Sequence, residues 1–85
     1  MLIQDIKVGR KVRCMVAYSG VPIGTIGVIV SDYGSGIMVA WDLPDRPYPK
    51  NKTPLEVASM YAVHYECPLR DGFDKETELY ALQII

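Results

Sequence analysis

The chain has 85 residues, the size of one small domain, since single hydrophobic cores take roughly 50 to 200 residues. Hydrophobic residues make up 49% and charged residues 22%, which excludes a disordered chain, a collagen-like repeat and a highly charged coiled coil. No apolar run approaches the roughly 20 residues of a membrane-spanning helix, and the amino terminus lacks the pattern of a secretory leader. We therefore expect a cytoplasmic protein without membrane contact.

Charge is divided unevenly along the chain. The first 31 residues carry four cations against one acid, a local +3, whereas the rest carries five cations against nine acids, a local −4. The formal net charge of -1 argues against a protein whose main task is coating nucleic acid. The division itself is either a binding surface or ordinary solvated charge.

Alternation of apolar and polar side chains predicts three strands in the first half of the chain. These are residues 11–18, 25–31 and 37–42, and the second is β-branched almost throughout. Residues 19–24 contain glycine and proline and are typical of a loop. The glycines within 32–36 can adopt positive φ, so we expect the second and third strands to form a hairpin.

The same alternation predicts two core residues. Trp41 shares one face of its strand with Ile37 and Val39, and Cys14 lies on the apolar face of the first strand. Cys67 is the only other cysteine. A small secreted domain would normally carry more disulfides, so we expect both thiols to be reduced.

The second half of the chain is less regular. Residues 43–52 contain three prolines, each without an amide donor, and predict an irregular excursion. Thr53, Pro54 and Glu56 have the form of a capped helix start. This pattern predicts one or two helical turns that end at about Met60.

Strand alternation resumes at 61–66 and ends before Pro68, which predicts a further strand. Asp71 followed by Gly72 predicts a turn, and residues 79–85 predict a last short strand. About five short strands with glycine and proline turns indicate an all-β fold. We expect a small, strongly bent antiparallel barrel with an inserted loop and one short helical turn, in a single domain.

Three sequence segments resemble the small SH3-like barrels, namely KOW-type and related modules. They are the basic run at 9–13, the P-x-G-T-x-G pattern within 21–30 and the V-x-W-D pattern within 37–42. The ending at 70–79 is similar too, and the resemblance is to uncharacterised SH3-like domains of bacteria and their phages or mobile elements. It covers about 50 of the 85 residues, while the segment 43–66 has no counterpart in the minimal barrel. Such barrels serve in RNA binding, peptide binding and oligomerisation, so the fold alone leaves the function open.

No combination of residues forms a recognisable catalytic or metal site. Cys14, His64 and Cys67 are three candidate ligands where a structural zinc site needs four in paired spacing. The same thiols and imidazole lack an orienting third group for nucleophilic catalysis. We therefore expect no metal, no other cofactor and no enzymatic activity, with Cys14 buried and His64 facing outward.

The 43–66 segment concentrates tyrosines, methionine and prolines. Tyrosine and methionine are enriched in interface cores, and a proline-stiffened loop loses little entropy on binding. The predicted function is a non-catalytic binding module for a partner protein or for a second copy of the chain; in a phage it would suit an adaptor or inhibitor of a host protein. The alternative is that the segment caps one barrel end and buries its rings. The predicted site residues are Tyr33, Tyr48, Met60, Tyr61 and His64.

A basic first strand supports a different hypothesis, a KOW-like nucleic-acid-binding module. Its cations would follow a phosphate backbone while nearby aromatic rings stack on bases. The same cations could instead pair with the acidic second half of the chain. The cations are Lys7, Arg10, Lys11 and Arg13, and the aromatic residues are Tyr18, Tyr33 and Trp41.

Overall fold

The computed structural model describes residues 1–17, 20–61 and 66–85. Short 3-10 helices occupy Ile3–Asp5 and Leu79–Ala81. The remaining elements are β1 (Lys11–Cys14), β2 (Ile26–Asp32), β3 (Gly36–Trp41), α1 (Pro54–Ala58), β4 (Arg70–Asp74) and β5 (Leu82–Ile84). No helix in this part of the chain has the length and apolar character needed to cross a bilayer.

The five strands form one antiparallel sheet in the order β4-β3-β2-β1-β5. The sheet curls into a half-barrel, and a register shift between Ile29 and Ser31 marks an irregularity in β2. Such bulges increase the local bend and twist of a strand. The predicted all-β class, with about five antiparallel strands and one short helical turn, is confirmed, and the half-barrel is compatible with an SH3-like fold.

The inner face of the sheet holds the main core. Trp41, which the sequence predicts to be buried, has no exposed surface, and its ring meets Phe73 edge-on with centroids 6.1 Å apart. Its indole Nε1–H donates a hydrogen bond of 2.8 Å to Oδ2 of Asp71. A buried indole N–H needs such a partner, because leaving it unpaired is costly. The predicted burial of Cys14 in this core is also confirmed.

The outer face of β2 and β3 is covered by α1. Val57 of α1 packs with Val30 and Ala40 in a second apolar group, here called the outer cluster. The predicted helix start is confirmed: the Glu56 amide donates to Thr53 Oγ1, and the Thr53 amide donates to Glu56 Oε1. Because both faces of these two strands are buried, α1 adds a second layer to the sheet rather than capping a barrel end.

The structure differs from the sequence prediction in two elements. In the first, tertiary contacts override the turn that the local residues favour. Asp71 and Gly72 form no turn but lie within β4. The Asp71 carboxylate accepts the Trp41 indole N–H, and a Cβ on Gly72 would lie 3.0 Å from the hydroxyl of Tyr33, whose ring covers this strand. The last predicted strand begins instead as the 3-10 helix Leu79–Ala81.

One further strand is shorter than predicted, and another lies mostly outside the described residues. The first strand ends at Cys14 rather than at residue 18, and the Cys14 carbonyl accepts the Gly24 amide of the loop that precedes β2. The predicted strand at 61–66 lies mostly on residues 62–65, outside the described residues. Its two end residues, Tyr61 and Glu66, belong to no strand.

Candidate functional site

A surface groove of about 840 Å³ is lined by residues 45–52, Met60 and Glu66. Tyr48 and Met60 are half-buried because both pack against the outer cluster. Burial raises the pKa of the Tyr48 hydroxyl above its ordinary value by desolvation. The groove therefore has an apolar floor that continues the outer cluster to the surface.

The loop that forms one side of the groove is held by its own backbone. Leu43 and Arg46 exchange backbone hydrogen bonds of 3.4 and 3.1 Å, which close a tight turn. The Tyr48 amide donates to Oδ1 of Asp42 at 2.9 Å. Three prolines, at positions 44, 47 and 49, remove much of the remaining backbone freedom. The side chains that line the groove are thus presented by a preorganised loop.

Met60, on the other side, is positioned by an arginine from β4. The guanidinium of Arg70 donates to the carbonyl oxygens of Val57, Ala58 and Met60, at 3.2, 2.9 and 2.9 Å. The Val57 carbonyl also accepts the Met60 amide at 3.2 Å, so Arg70 adds to the backbone bonds at the end of α1, where a cation is favourable. Arg70 therefore fixes the end of α1, and with it Met60, to the sheet.

The rim of the groove carries an excess of cations. The groove is lined by three cations, Arg46, Lys50 and Lys52, and by two acids, Asp45 and Glu66. Lys50 and Lys52 are exposed and form no ion pair with any described residue. The lining side chains therefore carry a net charge of +1, three cations against two acids, within a half of the chain that is acidic overall.

The structure brings together two of the five predicted site residues, Tyr48 and Met60. Tyr61 follows Met60 directly, and its side chain is 78% exposed. Tyr33 lies elsewhere, in the turn between β2 and β3, where its ring covers Gly36 and Gly72. His64 lies outside the described residues.

Sequence reasoning missed the groove cations and Arg70. Arg46, Lys50 and Lys52 are visible as charges spaced among the prolines, which is a signal that could have been read as a polar rim. Arg70 gave no local signal, because its carbonyl partners lie 10 to 13 residues earlier in the chain.

The basic residues of the nucleic-acid hypothesis lie on a different surface. Lys11 and Arg13 are exposed in β1, and their cross-strand neighbours, Val28, Ile26 and Gln83, carry no charge. All four cations are exposed and none is ion-paired within residues 1–17, 20–61 and 66–85, so the acidic half of the chain does not neutralise them through ion pairs. The four are Lys7, Arg10, Lys11 and Arg13.

The aromatic part of that hypothesis is not met by Trp41. Trp41 is fully buried and cannot stack on a base. Tyr33 covers the β3 and β4 side of the sheet, while β1 lies beyond β2. Tyr18 lies outside the described residues. Neither Trp41 nor Tyr33 thus supplies a stacking platform beside the cations of β1.

Both cysteines are buried and free. Burial raises the pKa of the Cys14 thiol, which donates a 2.9 Å hydrogen bond to the Val16 carbonyl. Since the thiolate is the nucleophile and the metal ligand, this environment makes Cys14 a poor candidate for either role. Among the residues that the structure describes, no group of three or more histidine, cysteine or carboxylate side chains could hold a metal ion.

Comparisons with protein-family models, curated proteins and solved structures found no match. The fold is therefore described from the arrangement of its strands, which form a small five-stranded antiparallel half-barrel. The groove and the basic surface are the two features of the molecule that bear on its function.

Proposed function

We propose that the protein is a non-catalytic binding module that holds a segment of a partner protein in the groove between Tyr48 and Met60. The observation that carries this proposal is the continuity of the groove floor with the outer cluster. An apolar side chain placed there would extend an existing core, which is how buried anchors stabilise interfaces. The exposed ring of Tyr61, next to Met60, adds contact area at the edge.

Preorganisation of the groove supports the same function. One wall is a hydrogen-bonded, proline-stiffened loop and the other is fixed by the three hydrogen bonds of Arg70. Such a surface orders few groups when a ligand binds, so less of the interaction energy is lost to entropy. We further propose that the domain is a member of the bacterial and phage SH3-like barrels, in which it would act as an adaptor or inhibitor of a host protein.

A second candidate function is nucleic-acid binding through β1. The observation that favours it is the group of four exposed cations that form no ion pair with any residue the structure describes. Neutralising phosphates releases counterions, so such binding would weaken steeply with rising salt. The two candidates use separate surfaces, and variants of each surface therefore distinguish them. The four cations are Lys7, Arg10, Lys11 and Arg13.

The experiment is affinity purification of the tagged protein from lysate of its source, with and without nuclease. We expect a stoichiometric protein partner that survives nuclease and is lost with Tyr61→Ala combined with Met60→Ala. The charge reversals Arg10→Glu and Arg13→Glu, which leave the groove intact, should retain it. Tyr61 and both arginines are exposed, and Met60 is only half-buried at the edge of the outer cluster, so circular dichroism and thermal unfolding should show folded variants, and Tyr61→Ala alone serves as the exposed single substitution.

The opposite pattern would contradict the proposal. Recovery of nucleic acid that is lost with Arg10→Glu and Arg13→Glu, and unaffected by the groove variants, would assign the function to β1. A partner that is insensitive to both sets of variants would exclude both surfaces.

A further inference from the structure

We infer that the groove takes an acidic segment of a partner protein, with an apolar side chain on the floor at Tyr48 and Met60 and carboxylates at Lys50 and Lys52. This inference rests on the proposed function, because it names the chemistry of the segment that the same groove would hold.

The charge of the rim carries the acidic part of the inference. Lys50 and Lys52 are exposed, and neither has an ion-pair partner among the described residues. The Glu56 carboxylate accepts hydrogen bonds from the amide and the hydroxyl of Thr53 and also interacts electrostatically with Lys52, so the charge of Lys52 is partly compensated within the chain. A partner that supplies carboxylates would complement these ammonium groups, which favours encounter and discriminates against basic segments.

The volume of the groove and the prolines in its wall bear on the size of the segment and on how it is recognised. The volume, about 840 Å³, lies in the range of ligand pockets of roughly 300 to 1,000 Å³ and accommodates several residues of a chain. Pro47 and Pro49 line it and donate no backbone hydrogen bonds. Strand addition along this wall is therefore disfavoured, and recognition would depend on side chains.

The carboxylates of the rim favour a peptide over a nucleic acid. Asp45 and Glu66 line the same groove as Lys50 and Lys52. A phosphate backbone places negative charge at every nucleotide and would meet these acids. A peptide can place its own carboxylates at the lysines and neutral side chains beside the acids, since its charge varies from residue to residue.

The experiment is a selection of random peptides displayed on phage against the immobilised full chain. We expect the selected peptides to carry two or more Asp or Glu residues around one large apolar residue. The strongest peptide, synthesised with a fluorophore, is then titrated by anisotropy. Lys50→Glu with Lys52→Glu should weaken its binding at least about tenfold. The matched control, Lys7→Glu with Lys11→Glu, reverses two lysines outside the groove and should change binding less than about twofold.

The outcomes separate this inference from the proposed function. The selected peptides could lose their binding with Tyr61→Ala and Met60→Ala and yet show no preference for acidic residues. That result would overturn the inference and leave the proposed function standing. Failure to select any peptide that responds to groove variants would overturn both. Binding of a labelled single-stranded oligonucleotide, or concentration-dependent dimerisation, that is lost with Lys50→Glu and Lys52→Glu would also overturn the inference, by assigning the groove to nucleic acid or to a second copy.

Discussion

Trp41 organises the inner core at the scale of single residues. Its edge contact with Phe73 and its hydrogen bond to Asp71 tie β3 to β4, and Gly27 of β2 lies opposite it in the register. A Cβ on Gly27 would lie 2.6 Å from Cγ1 of Val39 and 2.7 Å from Cε3 of Trp41. Because real Cβ atoms do not approach so closely, glycine at this position is a packing requirement.

The Gly27→Ala substitution should therefore destabilise the fold. Overpacking of a filled core costs about 1–3 kcal/mol of the free energy of unfolding, measured here by urea denaturation. The control is Gly72→Ala, in another strand, where the new methyl group would lie 3.0 Å from the hydroxyl end of exposed Tyr33 and at an ordinary 3.9 Å from the Ile37 carbonyl oxygen. A loss at Gly72 equal to or larger than that at Gly27 would contradict the packing argument.

Burial of single residues was predictable to the extent that it follows alternation. Trp41 and Cys14 were placed in the core because the sequence repeats apolar residues with the period of a strand. The acceptor for the Trp41 indole was not predictable, since Asp71 lies 30 residues later and is followed by a glycine that suggests a turn. Long-range pairing decided that the residue continues a strand.

At the scale of elements, α1 is stabilised at its two ends by different means. Its N-terminus is closed by the capping box of Thr53 and Glu56, in which all partners lie within one turn. The pKa of Glu56 lies below its ordinary value, chiefly because the Thr53 amide donates to it. Its C-terminus depends on Arg70 of β4, which follows the 62–65 segment in the amino-acid sequence. A five-residue helix is too short to persist alone, so both contacts matter.

Replacing Arg70 tests this second contact. Arg70→Ala removes three hydrogen bonds from a charged donor and should lower the free energy of unfolding by about 2–3 kcal/mol. Arg70→Lys retains the charge but cannot reproduce the planar fork of donors, so it should recover only part of the loss. Urea denaturation of both variants measures the effect. Full recovery with lysine would show that charge near the helix end, and not the three-carbonyl geometry, is what stabilises α1.

In the molecule as a whole, the two buried cysteines lie in different settings, one in a strand and one in a loop. Cys14 lies in β1, between β2 and β5 in the sheet, and belongs to the main core. Cys67 is buried too, but it lies between elements, outside the strands. Exposing Cys14 requires separation of the sheet, whereas exposing Cys67 requires movement of a loop.

Labelling with a thiol-reactive maleimide should therefore proceed at two rates in native buffer. We expect Cys14 to react at least about 10³-fold more slowly than in denaturant, as global unfolding controls its exposure. Cys67 should react faster than Cys14, through local opening. Mass spectrometry after proteolysis assigns each label, and Cys67→Ala isolates the Cys14 rate. Equal rates that track the free energy of unfolding would show that the Cys67 loop opens only with the whole domain.

The candidate site was predictable in composition but not in arrangement. Tyr48, Met60 and Tyr61 were selected because tyrosine, methionine and proline concentrate in one segment, and the first two do line one groove. Tyr33 lies in the turn between β2 and β3, as its position predicts, and is 52% exposed, with its side chain against Gly36 and Gly72 and away from the groove. The sequence does not show the positive rim, because the rim residues are brought together by the loop that the backbone pair of Leu43 and Arg46 closes.

The amino-acid sequence by itself determined the all-β class, the short capped helix and the burial of Trp41 and Cys14. These features follow from strand periodicity and from hydrogen bonds between near neighbours, which local order encodes. Only the tertiary structure decided that Asp71 and Gly72 continue a strand, that α1 covers the outer face of the sheet and that Arg70 holds its end. Each of these depends on partners far apart along the chain, whose meeting is set by how the sheet folds and packs.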